Sequence, residues 1–145
     1  MTSAITFFVP GKCITQGSFN PGRRFYNSKE LMNWRKSIQL LARAAKMPQD
    51  WATSKPMIVT AIFVFDRPRS HFRTGKNAHL LKDDASLCHA QKPDIDKLVR
   101  ALLDAITLSA TIWNDDCQVV RMDAEKWWAS YATSKPGVTV TIRQE

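Results

Sequence analysis

Residues 4–9, with the run Ile5-Thr6-Phe7-Phe8-Val9, predict a strand that Pro10-Gly11 ends. Residues 11–26 follow as a basic, glycine-punctuated loop. A helix is expected from Asn27 or Ser28, where Asn27 and Glu30 have capping-box spacing. Leu31, Trp34, Ile38, Leu41, Ala42 and Ala45 then recur at helical spacing, and the pattern stops before Pro48. Met57–Phe65 is apolar on both faces, as an interior strand is. Residues 66–93 hold few large apolar residues and predict a long exposed loop, partly disordered. A second helix is expected over residues 94–106. Residues 118–127 alternate, with Val120, Met122 and Ala124 opposite Arg121, Asp123 and Glu125. Val138, Val140 and Ile142 alternate with Thr139, Thr141 and Arg143, and Ser134-Lys135-Pro136-Gly137 is expected to join these last two strands as a hairpin. The order β-α-β-α-β-β predicts a single α+β domain with a mixed sheet packed by helices.

Composition narrows the classes. A chain of 145 residues, 44% hydrophobic with five Trp and seven Phe, suits one domain over residues 1–145 rather than a disordered chain. No apolar run approaches the ~18 residues of a membrane span. The N-terminal apolar run is short and lacks a preceding basic residue, unlike a signal peptide. Three widely spaced cysteines without C-x-x-C argue against a disulfide framework or zinc ribbon and fit a reducing cytoplasm. The net charge of +8 favours a polyanionic partner.

Against that basic background the acids stand out. Asp94-Ile95-Asp96 opens the second helix, and Asp115-Asp116 follows its end. Each pair has an ordinary explanation: carboxylates suit a helix N-terminus, and Asn114-Asp115-Asp116 suits a polar turn. The intervening helix is apolar nearly all round, apart from Asp96, Arg100 and Asp104 on one stripe with Lys97 beside them. Such a stripe is either an internal ion-pair ladder, open to Arg100 and Asp104, or the lining of a cleft. Converging carboxylates repel one another unless a cation holds them, and oxygen-only ligands suit Mg²⁺ or Mn²⁺. In phosphodiester cleavage such a metal activates water and neutralises charge.

Two segments carry more than this. Lys92-Pro93-Asp94-Ile95-Asp96-Lys97-Leu98-Val99-Arg100-Ala101-Leu102-Leu103-Asp104-Ala105 and Trp113-Asn114-Asp115-Asp116-Cys117-Gln118-Val119-Val120 together resemble the signature of the RusA family, Holliday junction resolvases often carried by phages and prophages. The family pattern is roughly K-P-D-[IL]-D-N-L-x-K-A-x-x-D-A-L, a short turn, then W-x-D-D-x-Q-[IV]-V. Pro10-Gly11-Lys12 and the basic loop before Tyr26 are also family-like. The resemblance implies a homodimeric, Mg²⁺-dependent endonuclease in a bacterial or phage-infected cytoplasm, nicking four-way DNA junctions symmetrically without a small-molecule cofactor. It places metal-site roles on Asp94, Asp96 and Asp116, with Asp115 adjacent. The nicks would carry 5′-phosphate and 3′-hydroxyl ends. A two-fold dimer gives a two-fold junction two equal active sites.

Two positions depart from the pattern. Lys97 stands where the family has Asn, and Arg100 where it has Lys. Arg stays protonated, so Arg100 is expected to stabilise the scissile phosphate or orient Asp96 or Asp104, with Lys97 assisting. Phosphate contacts are expected from Lys12, Arg23, Arg24, Arg67, Arg69, Arg73, Lys76 and Lys92. Phe25, Tyr26 and Phe72 are candidates for stacking on unpaired bases. Trp34 and Trp113 are expected in the core, Cys117 as a small packed residue, and Asp123 and Glu125 on a solvated face. His71, His79 and His89 with Cys88 fit no zinc spacing and are expected in the loop near DNA. Two other readings stay open: a non-catalytic DNA-binding module of the same fold, and a nuclease for other branched DNA or RNA.

Overall fold

The protein is described by a computed structural model over residues 3–15, 29–130 and 135–145. Its elements are β1 (Ala4–Pro10), α1 (Lys29–Ala44), β2 (Met57–Phe65), α2 (Ile95–Ser109), β3 (Val119–Trp128) and β4 (Gly137–Gln144). This is the expected α+β order. The Asn27 cap lies outside the described residues.

The four strands form one mixed sheet in the order β1-β4-β2-β3. β4 runs antiparallel to both β1 and β2, while β2 and β3 are parallel. A parallel pair needs a long crossover, which the 66–93 segment and α2 supply. The expected β3–β4 hairpin is therefore not formed: β4 inserts between β1 and β2, and β3 takes the far edge. β2 is interior as its sequence predicts. Val59, Ala61 and Phe63 are fully buried toward the helices, and Ile58 and Val64 are nearly so on the other face.

Phe7, Val9, Val140, Ile142, Val59 and Phe63 from the sheet join Trp34, Ile38, Leu98, Leu102 and Ile106 from the helices in one core. The opposite face of the sheet is more polar, with Thr6 and Thr141 hydroxyls 3.1 Å apart across β1 and β4. Val120 breaks the predicted alternation. Met57 pairs with Val119 and Ile58 with Arg121, so Val120 is the extra residue of a bulge and is 63% exposed. Met122 and Ala124 do face the core.

The 66–93 segment is more ordered than its composition suggests. It holds two 3-10 turns, at Arg69–His71 and Gly75–Asn77, and isolated bridges Phe72–Leu81 and Cys88–Trp127. Its end is stitched to β3 by His89 N to Lys126 O at 3.1 Å and Trp128 N to Leu87 O at 2.9 Å. That stitching brings the chain to the start of α2 beside the sheet. Among the described residues no helix is long and apolar enough to cross a membrane.

Candidate active site

The Lys92–Pro93 peptide is cis, and Asp94 then takes the N-cap position of α2 in an extended conformation. Its carbonyl accepts the first helical bond, from Leu98 N at 3.1 Å. Its side chain makes no capping hydrogen bond. The carboxylate instead lies 3.4 Å from Lys97 Nζ. The usual reason for an acid here, satisfying free N–H groups, thus does not apply to the Asp94 carboxylate. Asp96 is exposed in the first turn, and neither Asp96 nor Arg100 makes an ion pair among the described residues. Asp104 pairs across to Arg35 of α1 at 3.8 Å, so the Arg100–Asp104 ladder is not what the helices form.

The second acidic pair is held from behind. Ala110 closes α2 in the left-handed conformation (φ 59°), and the chain turns back. Arg43 covers this helix end, donating to the carbonyls of Ser109 and Leu108 at 3.2 and 3.4 Å. Trp113 is 1% exposed and its indole N–H donates to Thr107 Oγ1 at 2.8 Å. The next residues are pinned by Gln118. Its Oε1 accepts from Asn114 N and Asp115 N at 2.8 and 2.9 Å, and its Nε2 donates to the carbonyls of Thr53 and Lys55 at 2.8 and 2.9 Å. The Asn114–Asp116 turn is therefore a fixed platform, in which the Asp115 side chain accepts from Gln118 N to close a capping box and Asp116 is half-buried.

Burial pushes the Asp116 carboxyl above its ordinary range, reinforced by a hydrogen bond with Asp115 and by the negative charges of Asp115 and Asp104. A cation binding there would relieve that repulsion, and the donors are all carboxylate oxygens, which suits Mg²⁺. The fit is one of donor chemistry and charge. Among the described residues no three His, Cys, Asp or Glu side chains come together closely enough to hold one metal ion.

Of the expected phosphate contacts, Lys12, Arg69, Lys76 and Lys92 are exposed and make no ion pair among the described residues. Arg67 turns inward, donating to Ala129 O at 2.6 Å and meeting His71 Nδ1 at 3.3 Å. Arg73 bonds Leu81 O and pairs with Asp83 at 2.7 Å within its own loop. Arg23, Arg24, Phe25 and Tyr26 lie outside the described residues. Phe72 is half-buried, Trp34 and Trp113 are in the core, and Asp123 and Glu125 are on the open face as expected. Cys117 is exposed rather than packed, because the platform turns it outward.

Lys126 is not among the residues the sequence points to, and His89 is placed differently from its expectation. Lys126 lies on the helix-facing side of β3, with its ammonium donating to Gln91 O at 2.6 Å. Burial pushes its pKa down and the Asp94 charge pulls it back, so it belongs to the surroundings of Asp94. Its signal in the sequence is a cation in phase with Met122 and Ala124. His89 is 5% exposed, between Phe65 and Trp128, rather than a loop residue at the surface.

No curated protein matches the chain. The family described as Endodeoxyribonuclease RusA matches residues 13–143, which spans both acidic segments, the platform, β2, β3 and all of β4 but Gln144, while β1, whose pairing with β4 completes the sheet, lies before the matched residues. Taken with the α+β fold and the acidic site on a basic chain, this match places the protein in the RusA family of endodeoxyribonucleases, which act on Holliday junction DNA.

Proposed function

We propose that the protein is a Mg²⁺-dependent endodeoxyribonuclease that resolves four-way junctions as a homodimer, in DNA recombination and repair in the cytoplasm. The observation that carries this reading is that two of its acids are not spent on caps: the Asp94 carboxylate caps nothing, and that of Asp116 is half-buried and pressed by like charge. Asp94, Asp96 and Asp116 are the residues that would hold the cation, with Mn²⁺ a possible substitute. When bound, such a cation polarises the phosphate and lowers the barrier to attack by water. Asp115, locked by Gln118, orients its neighbour Asp116. Arg100 and Lys97 offer positive charge to the scissile phosphate; Arg100, always protonated, acts by charge and not as a base. Lys12, Arg69, Lys76 and Lys92, with Arg23 and Arg24, bind flanking phosphates and set the register of the DNA. Arg67 and Arg73 act chiefly by shaping the loop that carries Arg69 and Lys76.

Cleavage of junction, flap, duplex and RNA substrates side by side tests the substrate class. Preference for the four-way junction with paired nicks supports the proposal, and equal cleavage of flaps or RNA overturns it. One observation favours a second reading, a binding module without turnover: Lys97 Nζ sits 3.4 Å from the Asp94 carboxylate, where it competes with a metal. If Lys97→Asn gains Mg²⁺-dependent cleavage that the wild type lacks, that second reading is correct for the natural chain.

A further inference from the structure

Adjoining the start of α2 is a cavity of about 540 Å³, lined by Phe65, His89 and Trp128 on one side and by Ile14, Thr15 and Pro93 among others. That size falls within the range of small-molecule sites, roughly 300–1,000 Å³. His89 stacks on Phe65 with ring centroids 4.1 Å apart and tilts against Trp128 at 4.3 Å. Its Nδ1 is buried without a hydrogen-bond partner among the described residues, although the side chain is only 5% exposed. A buried polar atom left unmatched is costly, and a ligand edge carrying a donor or acceptor would satisfy it. Lys12 and Lys92 stand exposed among the lining residues, and so does the Asp66 carboxylate. The occupant therefore has a flat apolar body, hydrogen-bonding groups on its edge and an anionic attachment. Pro93 lines the cavity and Asp94 is the next residue, so the cavity adjoins the acidic start of α2.

The geometry points to this cavity as a receptor for one unpaired nucleotide of the branched DNA, its base against the Phe65–His89–Trp128 wall and its phosphate at Lys12 and Lys92. The inference rests on the nuclease reading for its choice of ligand. Extruding a base from a duplex costs a few kcal/mol, and least where pairing is already broken. At the crossover of a four-way junction the pairs at the point of strand exchange lose a continuous stacking neighbour, so opening one of them costs less there than within a duplex. A junction whose base enters the cavity is thereby positioned with its backbone beside Asp94. Capture of this kind makes the cavity a selector for branched over continuous duplex DNA. His89 stays a neutral ring, because burial and the charge of Lys126 hold its pKa down. With its faces covered by Phe65 and Trp128, a neutral ring offers one donor or acceptor to the base without a charge of its own.

The test uses the full chain bound to four-way junctions in EDTA, each junction carrying one 5-iodouracil at a different position around the crossover. Irradiation crosslinks that base to aromatic side chains stacked on it, and peptide mapping identifies them. The inference expects one position per symmetric strand to crosslink to Trp128, His89 or Phe65. Thr15→Trp and Ile14→Trp, which fill the cavity, should lose those crosslinks while thermal melting reports an intact fold. Thr15 lies outside the core cluster, so its variant stands if that of Ile14 does not fold. Crosslinks elsewhere only, or unchanged crosslinks in the folded Thr15→Trp variant, overturn the inference. Nicking by the wild type in Mg²⁺ is scored separately. Nicks without these crosslinks reject the base receptor and leave the nuclease standing, whereas crosslinks without nicks keep the receptor and reject the nuclease.

Discussion

Gln118 spends its amide on four partners: two backbone N–H groups of the acidic turn and two carbonyls of the 53–55 segment. Gln118→Ala removes all four bonds and leaves two carbonyls to find water. It is expected to destabilise the protein by about 1–3 kcal/mol in denaturant titration. Junction cleavage should fall further than junction binding, because the displaced groups are Asp115 and Asp116 rather than the basic surface. His89 makes the pH dependence at this scale. Its folded pKa is lowered from the ordinary 6.5, so above that value its neutral form contributes stability in full. As pH falls from 6.5 toward the lower folded value, the unfolded chain takes up the proton first and that stability is lost. Thermal melting across this window should therefore show a steeper loss for wild type than for His89→Phe, and equal losses would remove the assignment. The acids proposed for the site were legible because their spacing is a local pattern. Lys126 and His89 were not, since their importance comes from strands and loops distant in sequence that close around them.

The elements were legible in kind and nearly in extent. Alternation identifies a strand and apolar content identifies an interior one, as at β2. Neither names a partner, so adjacency in sequence suggested a β3–β4 hairpin where β4 actually docks between β1 and β2. The fold makes a specific demand at that docking. Gly137 begins β4 with φ +147°, and a Cβ there would run into the Val9 carbonyl and the Phe8 ring. Gly137→Ala is expected to cost roughly 2–4 kcal/mol by denaturant unfolding. The opposite change is available at the end of α2. Ala110 holds φ 59°, a conformation that disfavours any residue with a Cβ, so Ala110→Gly should raise stability by about 1 kcal/mol. An unchanged melting temperature in that variant would contradict the helix-end geometry. The bulge at Val120 escaped the reading because one inserted residue shifts phase without changing composition.

At the scale of the molecule, a chain of net charge +8 carries an acidic site next to exposed lysines. Global charge makes nucleic acid the natural partner, while the proposed function gives the local acids the cleavage of it. Junction affinity should accordingly fall on the order of 10³-fold between ~50 and ~200 mM salt, as expected for six or more phosphate contacts. A fall below about tenfold would mean that the basic surface is not the DNA interface. The central claim is that the Asp94 carboxylate, freed from helix capping, serves catalysis. Its most direct test is cleavage of an end-labelled four-way junction in Mg²⁺ against EDTA, with linear duplex as control and Asp94→Asn beside the wild type. The account predicts paired symmetric nicks that need the metal, reduced by about 10²-fold or more in Asp94→Asn while junction binding is kept or tightened. Wild-type cleavage absent in Mg²⁺, or a folded Asp94→Asn variant cutting at the wild-type rate, would contradict it.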